Sequence, residues 1–489
     1  MILKGRKEIF TDVKEITKAN ICEVINEAFA IHQQNAAEIK YLQEYERGVQ
    51  PIQGRKKEVR PEINYKVVEN HAAEITAFKV GYVFGSPITF VQRANKDINN
   101  DNGDGDDKKI SILNEMMFEE GKITQDQVLG KDLAVTGVGY RIVLPKKNIT
   151  GVSVFDMLRL NPNTTFVVRF NDIYKRVALG VSYTETKDGV IRAGAYTDKS
   201  YFELEGSKTG GFKVISEKDN LVGIPIIEYR YDEERMCCFE RVVSLLDALN
   251  LATSDRLNGL AQFVQSILWL NNVEIDEKQA NELKDKLGLQ TKSEPGNPAS
   301  VQYLTATLDQ TQTQTLIDYL YEQILQIAGV PGREQSTGGN TGQAIMLSNG
   351  WQIAENHARS TVQTFIASEL EMLKVVLKIF ALQTETPEAV NDLKISDIDV
   401  KFARNRTDSL LVKTQGLMNQ LQAGIHPLIA ISNCDLYSDP QSVWNDSKAY
   451  MGKWLYDAEE EDIDVKETVS NSRRSGGEDN IEDTSTIQA

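Results

Sequence analysis

The segment best suited to hold an anion is rich in glycine and lies directly before a predicted long helix. It reads Ser336-Thr-Gly-Gly-Asn-Thr-Gly342, and backbone N–H groups at a helix N-terminus can face a phosphate group. However, no strand precedes it and no lysine follows it, as both would in a nucleotide-binding P-loop. Two interpretations stay open: a mobile connector, or a loop that projects into a channel and contacts DNA phosphate through backbone amides, Arg333 and small polar side chains.

Residues that could support catalysis or bind a metal show no recognisable arrangement. The Gly-Lys pairs at 121–122 and 452–453 lack the Ser or Thr that follows in a P-loop, and neither GxSxG nor HExxH occurs. The four cysteines and four histidines are scattered, without the spacing of a zinc site or a disulfide framework. We therefore expect no catalytic residue, no metal, no cofactor and no enzymatic activity.

An acidic run at residues 97–107 matches a calcium-binding loop only in part. Counted from Asp97, the third and fifth positions of an EF-hand loop carry suitable side chains. Asn102 stands where that loop needs glycine, and Lys108 stands where it needs a bidentate glutamate. A solvated acidic loop is the better interpretation.

Composition predicts a soluble chain of several domains. Its 489 residues exceed one ordinary core, and 41 % are hydrophobic and 26 % charged. No apolar run is long enough to cross a bilayer, and residues 1–7 do not resemble a signal peptide, so we expect a cytoplasmic protein without membrane contact. The net charge of −17 argues against a conventional DNA-binding module. It is compatible with a channel wall that lets DNA slide instead of holding it.

The regular elements that position these segments follow from hydrophobic spacing, which predicts an α+β fold. A β-rich region is expected between residues 132 and 230, and a returning strand at 393–405. Helices are predicted over 12–46, 66–83, 112–130, 233–270, 309–328 and 342–382, and again from 408.

Three of these helices are too long for one globular core. The helix over 342–382 would span about 60 Å at 1.5 Å per residue. Gly350 within it costs about 1 kcal/mol relative to alanine, which predicts a kink there. Long apolar stripes need partners, and identical neighbouring subunits can supply them, so the pattern predicts an oligomer. After residue 456 the chain is acidic and almost free of apolar residues, so 457–489 is expected to be disordered.

Several short stretches, in this order and at this spacing, resemble the SPP1-type portal proteins of tailed bacteriophages. The resemblance extends over roughly residues 40 to 450. The stretches that carry it are Tyr65–Val68, Phe78–Gly85, Ile224–Tyr229, Glu233–Arg235, Phe239–Asn250, Ser254–Gly259, Gln262–Val264, Asn340–Ala344, Gly350–Trp351, Phe402–Asp408 and Ala423–Pro427.

The resemblance implies a mainly helical portal fold and a ring, usually of twelve subunits, at one capsid vertex. It divides the chain into a wing (1–232), stem helix 1 (233–270), a small α/β clip (271–308), stem helix 2 (309–330) and a tunnel loop (331–341). A long kinked wing helix with the returning strand (342–405), a helical crown (406–456) and the acidic tail (457–489) complete it. The 97–107 loop has no counterpart in this pattern and would decorate the rim of the wing.

The resemblance also implies which residues meet partners. Double-stranded DNA would pass the tunnel-loop residues Arg333, Glu334, Gln335, Ser336, Thr337, Gly338, Gly339, Asn340 and Thr341. The clip would bind the terminase during packaging and a head-completion or adaptor protein afterwards. Its candidate docking residues are Asn272, Glu274, Asp276, Lys278, Lys284, Lys286, Lys292 and Glu294.

The expected location is the portal vertex of the virion, reached from the host cytoplasm during assembly, next to the major capsid and scaffolding proteins. A second hypothesis remains: an oligomeric phage scaffold or adaptor that binds proteins and never contacts DNA. A third, an enzyme with an unrecognised site, has no motif in its favour. The shape of the particle discriminates between the first two, because only a DNA-conducting ring needs an axial hole.

Overall fold

The α+β class predicted from the sequence is confirmed by the computed structural model. It describes residues 4–58, 60–93, 104–264, 267–271, 300–304, 310–332, 350–402 and 410–434, with the short pieces 436–437, 443–444 and 446–447. Within these residues the helices are α1 (Ile21–Glu46), α2 (His71–Phe84), α3 (Asp104–Glu119), α4 (Lys122–Thr136), α5 (Val243–Val264), α6 (Gln310–Ala328), α7 (Trp351–Leu382), α8 (Leu410–Gln422) and α9 (Pro427–Cys434).

In the part of the chain that the structure describes, the strands form four sheets. They are β1 (Ile9–Thr11), β2 (Ile88–Gln92), β3 (Val138–Pro145), β4 (Phe155–Leu160), β5 (Thr165–Phe170), β6 (Val177–Glu185), β7 (Ile191–Tyr196), β8 (Ser200–Ser207), β9 (Gly210–Asp219), β10 (Ile226–Arg230), β11 (Ile267–Asn271), β12 (Ser300–Leu304) and β13 (Ile398–Phe402). The strand orders are β1-β5-β6-β7-β8-β9, β10-β3-β4, β11-β12 and β13-β2. Among the strands of the described residues, only β1 and β5 pair in parallel.

The six-stranded sheet buries one face against α1. The helix buries Ile21, Ile25, Ala28 and Phe29, which recur at the spacing of a single helix face. Phe29 meets Phe212 of β9 edge to face, with ring centroids 5.2 Å apart. Each such side chain contributes roughly 1.5–3 kcal/mol when fully buried, so this face fixes α1 on the sheet.

A second and larger core lies around α7, whose buried stripe includes Phe365, Met372 and Val376. It packs against the three-stranded sheet, α2, α3 and α4, and against the pair β13-β2. In that pair Val400 lies opposite Phe90, which returns the chain to the N-terminal half after 310 residues. The strand predicted at 393–405 is therefore confirmed as Ile398–Phe402.

Four charged side chains are buried together at the centre of this core. Arg141 of β3 forms ion pairs with Asp126 of α4 and, at 2.8 Å, with Glu369 of α7. Lys122 of α4 binds the same two carboxylates, at 2.5 and 3.1 Å. The hydroxyl of Tyr229 in β10 donates to Glu369 at 2.7 Å. Burial raises the pKa of Tyr229, so the phenol keeps the proton that it donates.

The first long helix is shorter than the prediction of 233–270. Helix α5 begins at Val243, after a 3-10 turn, and it ends at Val264. Arg235 has a φ of 57°, which a right-handed helix excludes, and its guanidinium is held by Glu228 at 2.9 Å. At the other end Ile267–Asn271 pairs with Ser300–Leu304 as a two-stranded ladder. The prediction was wrong at both ends because the spacing of apolar residues contains no information about partners that are distant in the sequence.

Gly350 does not kink a continuous helix, as was predicted. Its φ of 78° is left-handed, so it lies before the first residue of α7 and not inside the helix. The part predicted from 351 to 382 is confirmed, and residues 342–349 lie outside the described residues. The helix predicted at 112–130 is two helices, separated at Gly121 with a φ of 67°. The last part of the acidic run, 104–107, differs from the predicted loop, because α3 begins at Asp104, and residues 97–103 lie outside the described residues.

None of the described helices has both the length and the hydropathy that are needed to cross a membrane.

The buried charges generate a prediction for stability. Glu369→Gln leaves two buried cations with one carboxylate, so it should lower the free energy of unfolding by about 3–5 kcal/mol. Glu371→Gln is the matched control, since Glu371 is exposed and pairs with exposed Lys374. The control should change the free energy by less than about 1 kcal/mol. Denaturant titration of both variants measures this, and equal losses would contradict the role given to the cluster.

Candidate functional site

Helices α5 and α6 pack against each other and leave apolar side chains uncovered. Their contact with α2 and with the end of α1 buries Leu246, Leu249 and Ile324. The uncovered residues are between 39 % and 56 % exposed in the single chain: Leu251, Leu257, Leu260, Leu316, Tyr319 and Ile327. On α6 they occupy one stripe, separate from Asp318 and Glu322. Such a stripe is typical of a surface that another protein surface covers.

One face of α5 is polar and binds the backbone of residues 64–69. Asn250, Ser254 and Asn258 recur every four residues and are almost completely buried. Their side chains accept hydrogen bonds from the backbone N–H groups of residues 69, 67 and 65, at 2.8, 2.9 and 2.7 Å. Because alternate N–H groups meet successive helical turns, this segment is held in register along the helix.

The C-terminal end of α6 has a fixed geometry. The N–H of Val330 donates to Leu325 at 2.9 Å and the N–H of Gly329 donates to Gln326 at 3.1 Å, which together form a Schellman motif. Gly329 has a φ of 63°, as this motif requires. Lys79 of α2 donates to the carbonyl of Gly329 at 2.9 Å. The chain therefore leaves α6 at a defined position against α2.

The N-terminal end of α7 is held by the same turn of α2. Trp351 packs on Phe78 and Tyr82, with ring centroids 6.0 and 5.9 Å apart. The Tyr82 hydroxyl donates to Glu355 at 2.8 Å. A Cβ added to Gly350 would lie 3.8 Å from the Cα of Pro331. Pro331 and Gly350, which lie on either side of the 333–349 segment, are therefore close together in the structure.

The electrostatics at this place are unusual for a protein interior. Lys79 is 5 % exposed, and among the described residues no carboxylate lies within ion-pairing distance of it. Burial lowers the pKa of Lys79 to about 8. Burial first, and then the charges of Lys79 and Arg241, lower the pKa of His357 on α7. The lysine side chain of Lys79 is therefore held in a place that favours its neutral form.

The residues proposed for the tunnel loop and the clip cannot be placed in this framework. Residues 333–341, and the eight clip residues from Asn272 to Glu294, lie outside the described residues. The structure does describe their attachment points: α6, Gly350 and α7 for the loop, and the β11-β12 ladder for the clip. Of the residues singled out as a site or kink, only Gly350 is described.

Sequence reasoning missed Lys79, Gly329 and the polar ladder on α5. The ladder has a detectable signal, since Asn250, Ser254 and Asn258 are polar at a spacing that places them on one helix face. Lys79 has no such signal in the sequence, because a single lysine in a helix is usually exposed to solvent. Within the part of the chain that the structure describes, no group of three or more His, Cys, Asp or Glu side chains could hold a metal ion.

A comparison with protein families identifies the class of molecule. The family described as "Phage portal protein, SPP1 Gp6-like" matches residues 25–463. No curated protein matches the chain. The chain is thus a structural protein of a bacteriophage, and its family is associated with an oligomeric ring and with the capsid vertex of the virion. It belongs to the SPP1 Gp6-like family of phage portal proteins.

The end of α6 yields a second prediction. Gly329→Ala places a Cβ at left-handed φ, 3.3 Å from both His357 and the Lys79 Nζ atom. We expect a loss of about 1–3 kcal/mol in the free energy of unfolding. Gly332→Ala serves as the control, because its Cβ would have no neighbour within 4 Å. Chemical denaturation compares the two, and an unchanged Gly329→Ala variant would refute the constraint.

Proposed function

We propose that copies of this chain form a ring through whose centre double-stranded DNA is packaged and later ejected. Family membership supports the portal role, and the uncovered apolar residues of α5 and α6 carry the proposal of a ring. In a ring each subunit presents one surface to the neighbour on its left and another to the neighbour on its right. Two adjacent helices with unpaired apolar stripes fit that requirement, and twelve subunits is the expected number.

The stem of this ring would consist of α5 and α6, with the β11-β12 ladder as the base of the clip over 271–308. The clip would dock the terminase during packaging and the head-completion or adaptor protein afterwards. The wing would comprise residues 1–232 together with 342–405. The crown over 406–456 and the acidic tail would face the capsid interior.

The loop over 331–341 would face the channel, where Arg333, Gly338, Gly339 and their neighbours contact DNA. Its support is the geometry at its base: α2 contacts Gly329 before the loop and Trp351 at the start of the next described helix, so the loop would project from a rigid point. The net charge of −17 per chain adds a second argument. A ring multiplies this negative field, which disfavours tight binding of phosphate and favours sliding.

Charge placed in the stem stripe should disrupt the ring. Leu316→Glu adds a carboxylate to a side chain that is half exposed in the single chain and would be covered in the ring. Since a buried unpaired charge is strongly unfavourable, we expect a loss of at least about tenfold in assembly affinity. Glu322→Lys changes the charge on the other flank of α6 and should leave assembly intact. Native mass spectrometry measures both, and intact rings for Leu316→Glu would contradict the stem assignment.

Bulky side chains in the loop should affect DNA passage and not assembly. Gly338→Phe combined with Gly339→Phe should reduce packaging of DNA into capsids while rings of normal mass still form. The reason is steric, because the added rings would narrow the channel without touching the stem. Loss of ring formation would instead mean that the segment is structural, and normal packaging would mean that it does not line the channel.

A further inference from the structure

Lys79 is the only cation described on the turn of α2 that holds both ends of the 333–349 segment. Its neighbours on that turn, Phe78 and Tyr82, contact α7. Its own Nζ atom donates a hydrogen bond to the carbonyl of Gly329, 2.9 Å away. That carbonyl follows directly after the last residue of α6. Lys79 therefore links α2 to the end of α6 through a side chain other than those that pack on Trp351 and Glu355 of α7.

A cation at this end of a helix interacts favourably with the helix dipole, because the last carbonyls of α6 carry partial negative charge. Among the described residues, this attraction and one hydrogen bond offset the cost of burying the ammonium group of Lys79. Where burial exceeds its compensation, the charged form is disfavoured, and the lowered pKa has this direction. A methionine of similar length would fill the same space without that penalty.

We propose that Lys79 is a positioning residue, which fixes the end of α6 and thereby the point from which the 333–349 segment leaves the fold, at the expense of overall stability. This inference rests on the proposed function only in assigning that segment to the DNA channel. The contact itself requires no DNA.

The groups around Lys79 determine how pH acts on the junction. His357 of α7 lies next to it at Gly329, and Cys238, in the segment before α5, is close enough to act on its pKa. Arg241 acts on His357 and adds a further positive charge. None of these groups supplies a negative charge below the range in which thiols ionise. Burial raises the pKa of Cys238 to about 12, so its thiol stays neutral near pH 8.

The direction in which pH changes the free energy of unfolding follows from the pKa of Lys79 in the folded and in the unfolded protein. Its pKa is about 8 when folded, against an ordinary value of 10.5. Above pH 10.5 Lys79 is neutral in both the folded and the unfolded protein, so its burial then costs no free energy of unfolding. The stability linked to this group is lost as the pH falls through 8, where the folded protein must bury the charge. Between pH 8 and pH 10.5 the wild-type protein should therefore gain stability relative to a variant without the lysine.

The test compares full-length wild type with Lys79→Met, Lys79→Arg and the control Lys374→Met, an exposed lysine on α7. Amide hydrogen exchange at Gly329 and Val330 reports the end of α6, and denaturant unfolding at pH 7 and pH 10 reports overall stability. For Lys79→Met we expect exchange at least about tenfold faster at these two amides, since a hydrogen bond to a charged group is lost. We also expect equal or greater stability than wild type at pH 7.

At pH 10 the wild-type protein should be closer in stability to Lys79→Met than it is at pH 7. Lys79→Arg keeps a donor and a charge that does not titrate, so it should restore slow exchange without the pH dependence, and Lys374→Met should resemble wild type. Unchanged exchange in Lys79→Met would overturn the proposal. So would a loss of stability at pH 7 with faster exchange throughout the chain, because that describes an ordinary packing contact. Both measurements use purified protein, so a failure to conduct DNA would leave them unaffected.

Discussion

The structure depends on a buried set of four charges that no single element can satisfy. Arg141 and Lys122 face Asp126 and Glu369, and the four residues come from β3, α4 and α7. Because removing any one partner leaves a buried charge uncompensated, the sheet, the short helix and the long helix must assemble together. This requirement fixes α7 in place and, through α7, the position to which the chain returns at Gly350.

Helix α2 transmits that fixed position to the proposed channel. Its last turns contact Trp351 of α7 through aromatic rings and, through Lys79, the carbonyl of Gly329 after α6, so one helix holds the residues on both sides of the 333–349 segment, which contains most of the proposed loop. The other side of the same junction leads to α5 and α6, the proposed stem, whose apolar stripes remain uncovered in the single chain. The arrangement therefore places a well-packed core around α7 beside two helices with uncovered apolar side chains, as the proposed ring-forming subunit would require.

The sequence predicted those helices and strands whose own residues show the hydrophobic spacing that identifies them. Helix α6 was placed within about one residue, because Leu316, Leu320, Ile324 and Ile327 repeat at helical spacing. Strands β8 and β9 lie within the predicted β-rich region of 132–230 but were not predicted individually, since their polar faces are held by cross-strand pairs such as Lys218 with Glu203. The end of α5 was misplaced because Ile267 needs its distant partner Leu304 to become a strand. Lys79 was invisible for the same reason: its role depends on a carbonyl 250 residues away.

Single-particle electron microscopy of the purified full-length protein tests the central claim most directly. We expect a closed ring, with α5 and α6 of each subunit packed against those of its neighbours and an axial hole wide enough for B-form DNA. A closed particle without such a hole, or a linear assembly, would contradict the account and would favour a scaffold or adaptor that never contacts DNA.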